Sequence, residues 1–256
     1  MTEDVEPDPP AYLPGPMPAP VAAGDLLRDR IVAVTEVILC SSVPTQIAIG
    51  LLLRLAGWSP TDAAGHLSLS FVLTLSLADM ALLVVLMVVL LRAHGESAAD
   101  LWLGRRPRGR ETRLGFLLIP VVFVSVVVLL NVIRLVAPSL HNVADNPLEQ
   151  LARTPLQAAI FGLVVIFAGG VREELQRAFL LRRFEQHLGG ATAGLVVISV
   201  GFGLGHTVQG WDAVLTTGAL GAFWAIVYLR RRSSIAPMVS HAGFNALEVL
   251  RAAFFP

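Results

Sequence analysis

Residues 114–136 read LGFLLIPVVFVSVVVLLNVIRLV, an apolar run with a single charged side chain, Arg134. A helix needs about 20 mostly apolar residues to cross roughly 30 Å of hydrocarbon. The run is long enough to span a membrane. It predicts the fold class, an all-α, polytopic transmembrane helical bundle.

The composition of the whole chain supports this class. Hydrophobic residues make up 55% of the chain and charged residues 15%, with a mean hydropathy of +0.69, which is too apolar for a soluble domain. Basic and acidic residues balance at 19 each, and no basic stripe with interleaved aromatics indicates nucleic-acid binding. Cys40 is the single cysteine, which excludes an intrachain disulfide and a cysteine-based metal site.

Applied along the chain, the same length criterion predicts about seven spans, at 31–57, 67–91, 114–136, 155–171 continuing as a helix to about 187, 191–208, 211–229 and 234–254. Arginines gather before span one and after spans two, four and six, whereas the loops 58–66, 137–154 and 209–210 hold only Arg153. Because cytoplasmic loops collect basic residues, we expect the N-terminus inside and the C-terminus outside.

The first 24 residues differ from the rest of the chain. They are rich in proline and carry Glu3, Asp4, Glu6 and Asp8, a composition that predicts a disordered tail. No basic region followed by an apolar core precedes Asp25, so we expect the first span to be an uncleaved anchor. Residues 25–256 are expected to form a single transmembrane domain.

Three ionisable residues stand apart in the first three spans. Such groups are costly in a membrane unless they are paired or hydrated. For Glu36 and Asp79 we favour hydrogen bonding to a neighbouring helix over a catalytic role, and we expect Glu36→Gln and Asp79→Asn to retain most activity. Arg134 lies near an interface, where its side chain can reach water.

A cluster of charges in the fourth span is different. Arg177 follows Glu173 by four residues and Glu174 by three, so that one acid can pair with it within the helix while the other stays free. Poor solvation raises the pKa of a carboxyl group and a nearby guanidinium lowers it, and this balance can give a general base a pKa near neutral pH. The structural alternative is a salt-bridged helix end.

Two further polar pairs lie on the fifth and seventh spans. Phe202 and His206 are four residues apart, and so are His241 and Asn245, with small residues between them. Each pair shares a helical face, although a packed histidine would explain either one alone. Together with the acids, they indicate one site formed by three helices.

The residue types allow two chemistries. Glu173, His206 and His241 could hold Zn²⁺ and activate water. Otherwise Glu173 and one histidine activate water directly while the other histidine and Asn245 stabilise an oxyanion. The sequence leaves both open.

At these residues the chain resembles the CPBP family of intramembrane peptidases, which contains CAAX prenyl proteases and bacteriocin-processing enzymes and is also called Abi. The family motifs are Glu-Glu-xxx-Arg, Phe-xxx-His and His-xxx-Asn/Asp, in this order. Phe202 to His206 fits the second motif and His241 to Asn245 the third. The resemblance covers about residues 115–254, the expected peptidase core.

The first motif departs from the family pattern, because two residues instead of three separate Glu174 from Arg177. If the acid pair is matched, Glu173 takes the catalytic position. If the arginine is matched, Glu173 becomes the second acid and Arg172 stands at the first position. We favour the acid pair because hydrolysis needs a carboxylate.

The resemblance implies an endopeptidase in which Glu173 and His206 activate water and His241 and Asn245 stabilise the oxyanion. Glu174 and Arg177 would support them, and zinc would be the metal in a metalloprotease version. It also implies membrane lipid and membrane-associated or lipidated, CAAX-type peptides as partners, reached from the cytoplasmic leaflet. We expect a multi-pass protein of the plasma membrane, here a bacterial inner membrane.

Two other functions compete with this one. The shortened first motif motivates a non-catalytic scaffold or immunity protein of the same fold. A transporter lined by Glu36, Asp79 and the C-terminal acids ranks last, because the two halves show none of the matched broken helices typical of transporters.

Overall fold

The computed structural model describes residues 23–254, a stretch built from helices. Within it no strand forms, and the β pairing is one isolated bridge between Thr61 and Leu67. The all-α class is confirmed, while the predicted disordered tail lies outside the described residues as far as residue 22. The helices are α1 Ala23–Leu39, α2 Val43–Leu55, α3 Leu69–Ala93, α4 Ala98–Trp102, α5 Arg108–Val136, α6 Pro155–Val164, α7 Glu173–His187, α8 Gly190–Leu204, α9 Trp211–Arg231 and α10 Ile235–Phe254.

Helix length and polarity decide which helices could cross a membrane. Four are long and apolar enough, namely α3, α5, α9 and the continuous helix Pro155–His187, and the bent pair of α1 and α2 would make a fifth. The protein is therefore membrane-embedded and multi-pass, but the count of seven spans is not confirmed. Helix α8 has 15 residues, which extend about 22 Å where the hydrocarbon is about 30 Å thick.

The first predicted span is broken, which corrects the expectation of one continuous helix over 31–57. α1 and α2 meet at an angle of 42°. Ser42 takes a left-handed conformation with φ of 70°, and Pro44 follows within the first turn of α2, where its missing N–H is tolerated. A backbone group freed by the break is satisfied from α7, since Gln176 Nε2 donates to the Cys40 carbonyl at 2.6 Å.

The helix that carries the acid pair changes to π-helical geometry just before Glu173 and Glu174. Residues Val165–Arg172, here called the π segment, form a π-helical turn between α6 and α7. Gly170 lets α10 pack closely, because a Cβ at this position would lie 2.5 Å from Ala242 Cα. Such turns are frequent at functional sites, and this one sets the rotation of the next two residues, Glu173 and Glu174.

One end of the bundle joins the arginine-bearing segments. We call it the arginine-rich end, defined by residues 92–113, 182–187 and 230–234. Ser234 N donates to the Trp102 carbonyl at 2.7 Å, Arg106 Nε donates to the Arg231 carbonyl at 3.0 Å, and Arg182 Nε lies 2.8 Å from Glu96. These contacts link segments that the arginine pattern predicts to lie on one side of the membrane.

The opposite end, defined by residues 56–68, 134–154, 205–212 and 248–254, is joined by its own contacts. Arg134 Nε lies 3.0 Å from Asp212 Oδ2, and Arg251 Nη2 lies 2.6 Å from Glu149. Leu67 packs beside Leu151 in one apolar cluster. Arg134 does lie at a helix end, as predicted, but it pairs with an acid as well as meeting solvent.

Candidate active site

Glu174 and Arg177 form a buried ion pair one turn apart on α7. Arg177 Nε and Nη2 each donate to a Glu174 oxygen at 3.1 Å, and the two residues are 1% and 2% exposed. A two-point contact of this kind fixes both side chains. Despite the shortened motif, the arginine therefore reaches the second acid.

Glu173 is the acid left open. Its side chain is 21% exposed, Arg172 Nη2 lies 3.6 Å from Oε1, and His241 Nε2 lies 3.9 Å from Oε2. Both distances are within ion-pair range but exceed a hydrogen bond. Among residues 23–254, no group hydrogen-bonds its carboxylate, which is therefore available to a water molecule.

His241 is held from two sides on α10. Its Nδ1 lies 2.9 Å from Glu174 Oε1, and its ring stacks on Trp224 with centroids 3.8 Å apart and planes 16° apart. Trp224 is itself anchored by donating to Ser240 Oγ at 3.0 Å. Because an ionised carboxylate can only accept, Nδ1 carries the proton shared with Glu174, and Nε2 is directed toward Glu173.

His206 lies past the end of α8, in the turn before Thr207, and not on the helix as the spacing predicts. Its Nδ1 donates to the Phe202 carbonyl at 2.8 Å, which leaves Nε2 as the acceptor of the neutral ring. The rings of His206 and Phe202 nevertheless lie 5.0 Å apart. His206 and Phe202 therefore stay in contact although His206 lies beyond the end of the helix.

Phe202 is the common neighbour of the polar groups. Its ring lies 4.6 Å from the Arg177 guanidinium carbon and 6.0 Å from the His241 ring, edge to face. It thus packs against α7 and α10, and it also lies against Gly221 of α9. The second motif's aromatic residue therefore has a structural role that the sequence did not specify.

Asn245 is partly committed to the backbone. Its Nδ2 donates to the Val165 carbonyl at 3.1 Å, at the first residue of the π segment. A carboxamide has two N–H groups, so that one remains for another acceptor. Its predicted role as an oxyanion donor remains a prediction.

Arg172 belongs to the site although the sequence suggested no role for it. It is 7% exposed, donates from Nη1 to Ser42 Oγ at 2.8 Å and to Gln176 at 2.9 Å, and places Nη2 between Glu173 and Asp79, 3.8 Å from the latter. The sequence feature that could have indicated its role is its position next to the acid pair at membrane depth, where a charged side chain needs a partner.

Asp79 and Glu36 are not isolated, and the structural interpretation favoured for both agrees with their contacts. Asp79 is fully buried, accepts from Thr45 and lies near Arg172. Glu36 pairs with Arg183 and lies 2.6 Å from His94 Nε2. Asp79 is therefore connected to Glu173 through Arg172, whereas Glu36 belongs to the arginine-rich end.

A cavity of about 1080 Å³ connects these groups. Its wall includes Glu173, Arg177, His206, His241 and Asn245, while Glu174 lies behind it. Part of the wall is apolar and is formed by side chains of α1, α7 and α8, namely Val37, Leu180, Phe184, Val197 and Ile198. Five of the six predicted site residues thus line one space.

The predicted zinc ligands do not form a metal site in this geometry. Among residues 23–254, no three histidine, cysteine, aspartate or glutamate side chains are grouped so that they could hold an ion. His241 Nδ1 is committed to Glu174, and the approach of His241 to Glu173 is the single close contact among the three predicted ligands. Zinc remains a prediction from the sequence, and no step below depends on it.

Comparison with known proteins agrees with the motifs. Residues 155–247 match the family model described as Rce1-like, type II CAAX prenyl endopeptidase. The match spans all three motifs and confirms the resemblance noted from the sequence. The chain has no match among the curated proteins or the solved structures.

Proposed function

We propose that this chain, whose residues 155–247 match the Rce1-like endopeptidases, is an intramembrane endopeptidase of the glutamate type. The observation that carries the proposal is the division of labour between two adjacent acids. Glu174 is buried and neutralised by Arg177, whereas Glu173 faces the cavity without a hydrogen-bond partner among the described residues. This is how one carboxylate serves as a structural anchor and its neighbour as a base.

In the first step Glu173 accepts a proton from a water molecule as the water oxygen bonds to the carbonyl carbon of the peptide. His206, with Nε2 free to accept, helps to orient that water. The carbonyl π electrons move to oxygen, which becomes the oxyanion. The C–N bond then breaks, and the proton held by Glu173 passes to the departing amine.

The oxyanion needs hydrogen-bond donors. Asn245 can offer its second N–H, and His241 can offer Nε2–H when its ring carries both protons. Glu174 Oε1 lies 2.9 Å from Nδ1 and so orients the ring, in the manner in which a buried acid orients a catalytic histidine. Arg177 in turn fixes Glu174 by its two-point contact.

The substrate we propose is a membrane-associated peptide with a lipid or transmembrane end, of which a prenylated CAAX peptide is one example. The apolar wall of the cavity, with Leu180, Phe184 and Val197, suits an isoprenyl or acyl chain. The polar groups lie beside it, around Glu173. The cavity therefore offers separate surfaces for a lipid and for a peptide bond.

Glu173→Gln tests this proposal in purified protein incubated with a farnesylated CAAX peptide. Loss of the base should lower the cleavage rate by about 100-fold to 10,000-fold without loss of folded protein. Glu185→Gln is the matched control, the same change on the same helix, where Glu185 pairs with the exposed Arg232. Equal rates for Glu173→Gln and wild type would disprove the assignment.

A further inference from the structure

The arginine-rich end carries more positive charge than its acids neutralise. Three of its four acids are in ion pairs with arginines of the same end, namely Glu96, Glu111 and Glu185. Six further arginines are exposed and form no ion pair among residues 23–254, namely Arg92, Arg105, Arg108, Arg110, Arg113 and Arg230. A surface charge of one sign attracts a partner of the opposite sign.

Several of these arginines open α5, at the end of a helix where positive charge is least favourable. Helix α5 begins at Arg108, and Arg110 and Arg113 follow within its first two turns. The N-terminus of a helix bears a partial positive charge and favours acids. The acid in this first turn, Glu111, is fully buried and accepts from Arg231 Nε at 3.2 Å. Among the described residues, the outer surface of this helix start therefore lacks a negative partner.

The outer face of α5 changes from basic to apolar within about one turn. Arg113 lies two residues beyond the buried Glu111, about 200° around the helix, and it is exposed. Phe116 and Leu117 follow it by three and four residues on the same face and are 62% and 61% exposed. This order is expected where a helix passes from the lipid headgroups into the hydrocarbon.

Helix α9 shows the same order where it ends. Ile226 is 39% exposed, and Arg230, four residues later on the same face, is exposed as well. The ion pair of Arg231 with Glu111 joins the end of α9 to the start of α5. Both helices therefore present an exposed arginine beside exposed apolar side chains at the same end of the bundle.

We propose that this face of α5 and α9 binds anionic phospholipids, with Arg110 and Arg113 contacting the phosphate and Phe116 and Leu117 contacting the acyl chains. Arginine suits a phosphate because its guanidinium donates two parallel hydrogen bonds. The exposed apolar side chains next to the arginines favour a lipid over a soluble anion. Basic clusters beside membrane spans are attracted to anionic lipids in this way. The inference goes beyond the peptidase function and does not depend on it.

Thermal unfolding in nanodiscs tests the proposal without any need for activity. Wild type should unfold at a higher temperature in phosphatidylcholine mixed with phosphatidylglycerol of the same acyl chains than in phosphatidylcholine alone. The double variant Arg110→Gln, Arg113→Gln should lose most of this rise, and it should fold because both side chains are exposed. The double variant Arg54→Gln, Arg153→Gln is the matched control. It removes the same charge from exposed arginines outside this end and should keep the rise.

Three results would overturn the proposal. The first is a rise that persists in the Arg110→Gln, Arg113→Gln variant or that is lost equally in the control. The second is an equal rise when glycerol phosphate, the soluble headgroup, is added to wild type in phosphatidylcholine nanodiscs, since this would indicate a site for a free anion. The third is a rise that appears only after the acids of residues 1–22 are replaced by their amides, which would assign the arginines to the acidic N-terminal segment and not to lipid.

Discussion

At the scale of single residues, the site depends on which charges are compensated. Glu174 has a complete set of partners in Arg177 and His241. Glu173 has Arg172 at a distance that attracts without a hydrogen bond. A charged group inside a membrane is retained only where such partners exist, and here the partners leave one acid fully paired and the other open to the cavity.

Arg172 should therefore act as a positioning residue for Glu173. We expect Arg172→Gln to lower kcat about tenfold, equivalent to roughly 1.4 kcal/mol, with KM little changed, and Arg172→Lys to restore part of the loss. Peptide-cleavage kinetics on both variants measure this. An unchanged kcat in Arg172→Gln would exclude the role.

Asp79 should share that phenotype in weaker form, contrary to the expectation from the sequence that Asp79→Asn retains most activity. The amide removes the charge that holds Arg172 Nη2 from the side facing away from Glu173. Glu36→Gln is the control, since Glu36 pairs with Arg183 and not with the site. Equal kinetics in the two variants would show that Asp79 is purely structural.

At the scale of elements, the π segment and α10 form the surface on which the catalytic groups meet. Gly169 and Gly170 allow α10 to lie against the helix, and Asn245 closes the widened turn by donating to Val165. Small residues at membrane helix interfaces permit such an approach because packing, not hydrophobic transfer, holds the helices together.

Gly170→Ala should separate these two helices. Its added Cβ would lie 2.5 Å from both Ala242 Cα and Ala242 Cβ, and overpacking costs about 1–3 kcal/mol. We expect a lower thermal unfolding temperature and weaker activity, since His241 shifts with α10. Gly50→Ala, which meets no atom within 4 Å, is the matched control and should not destabilise. Wild-type stability in Gly170→Ala would show that the helices can part without cost.

At the scale of the whole molecule, the arginine-rich end is a network of charges that joins α1 and α7 to the segment after α3. Arg183 reaches both Glu36 and Glu96, and Arg182 adds a second contact to Glu96. These four charged residues do not line the candidate cavity, so that the network stabilises the bundle outside the candidate site.

Glu96 should make this end sensitive to acid. Burial raises the pKa of its carboxyl, but the hydrogen bonds and charges of Arg182 and Arg183 outweigh burial and hold the pKa below its ordinary value. A lowered pKa stabilises the fold above the unfolded-state pKa of about 4.3, and that stabilisation is lost as the pH falls through the folded-state pKa. The thermal unfolding temperature of wild type should therefore fall as the pH is lowered through this range.

Glu96→Gln is the comparison for that measurement. It should unfold at a lower temperature than wild type at neutral pH, and the difference should shrink in acid, where the wild-type carboxyl is protonated. A difference that stays constant over the whole pH range would place the effect in packing and not in charge.

The sequence by itself determined the membrane class, and it predicted the orientation and the candidate site residues. Apolar run length and loop arginines follow from transfer free energies that act on each segment separately, and the motifs around Glu173, His206 and His241 needed only their spacing. Tertiary structure decided what depends on contacts between distant segments. It showed the break at Ser42, the partnership of Arg172 with Asp79 and the displacement of His206 beyond its helix. Each of these is set by neighbouring helices that local spacing does not reveal, because paired charges and close packing are properties of the assembled bundle.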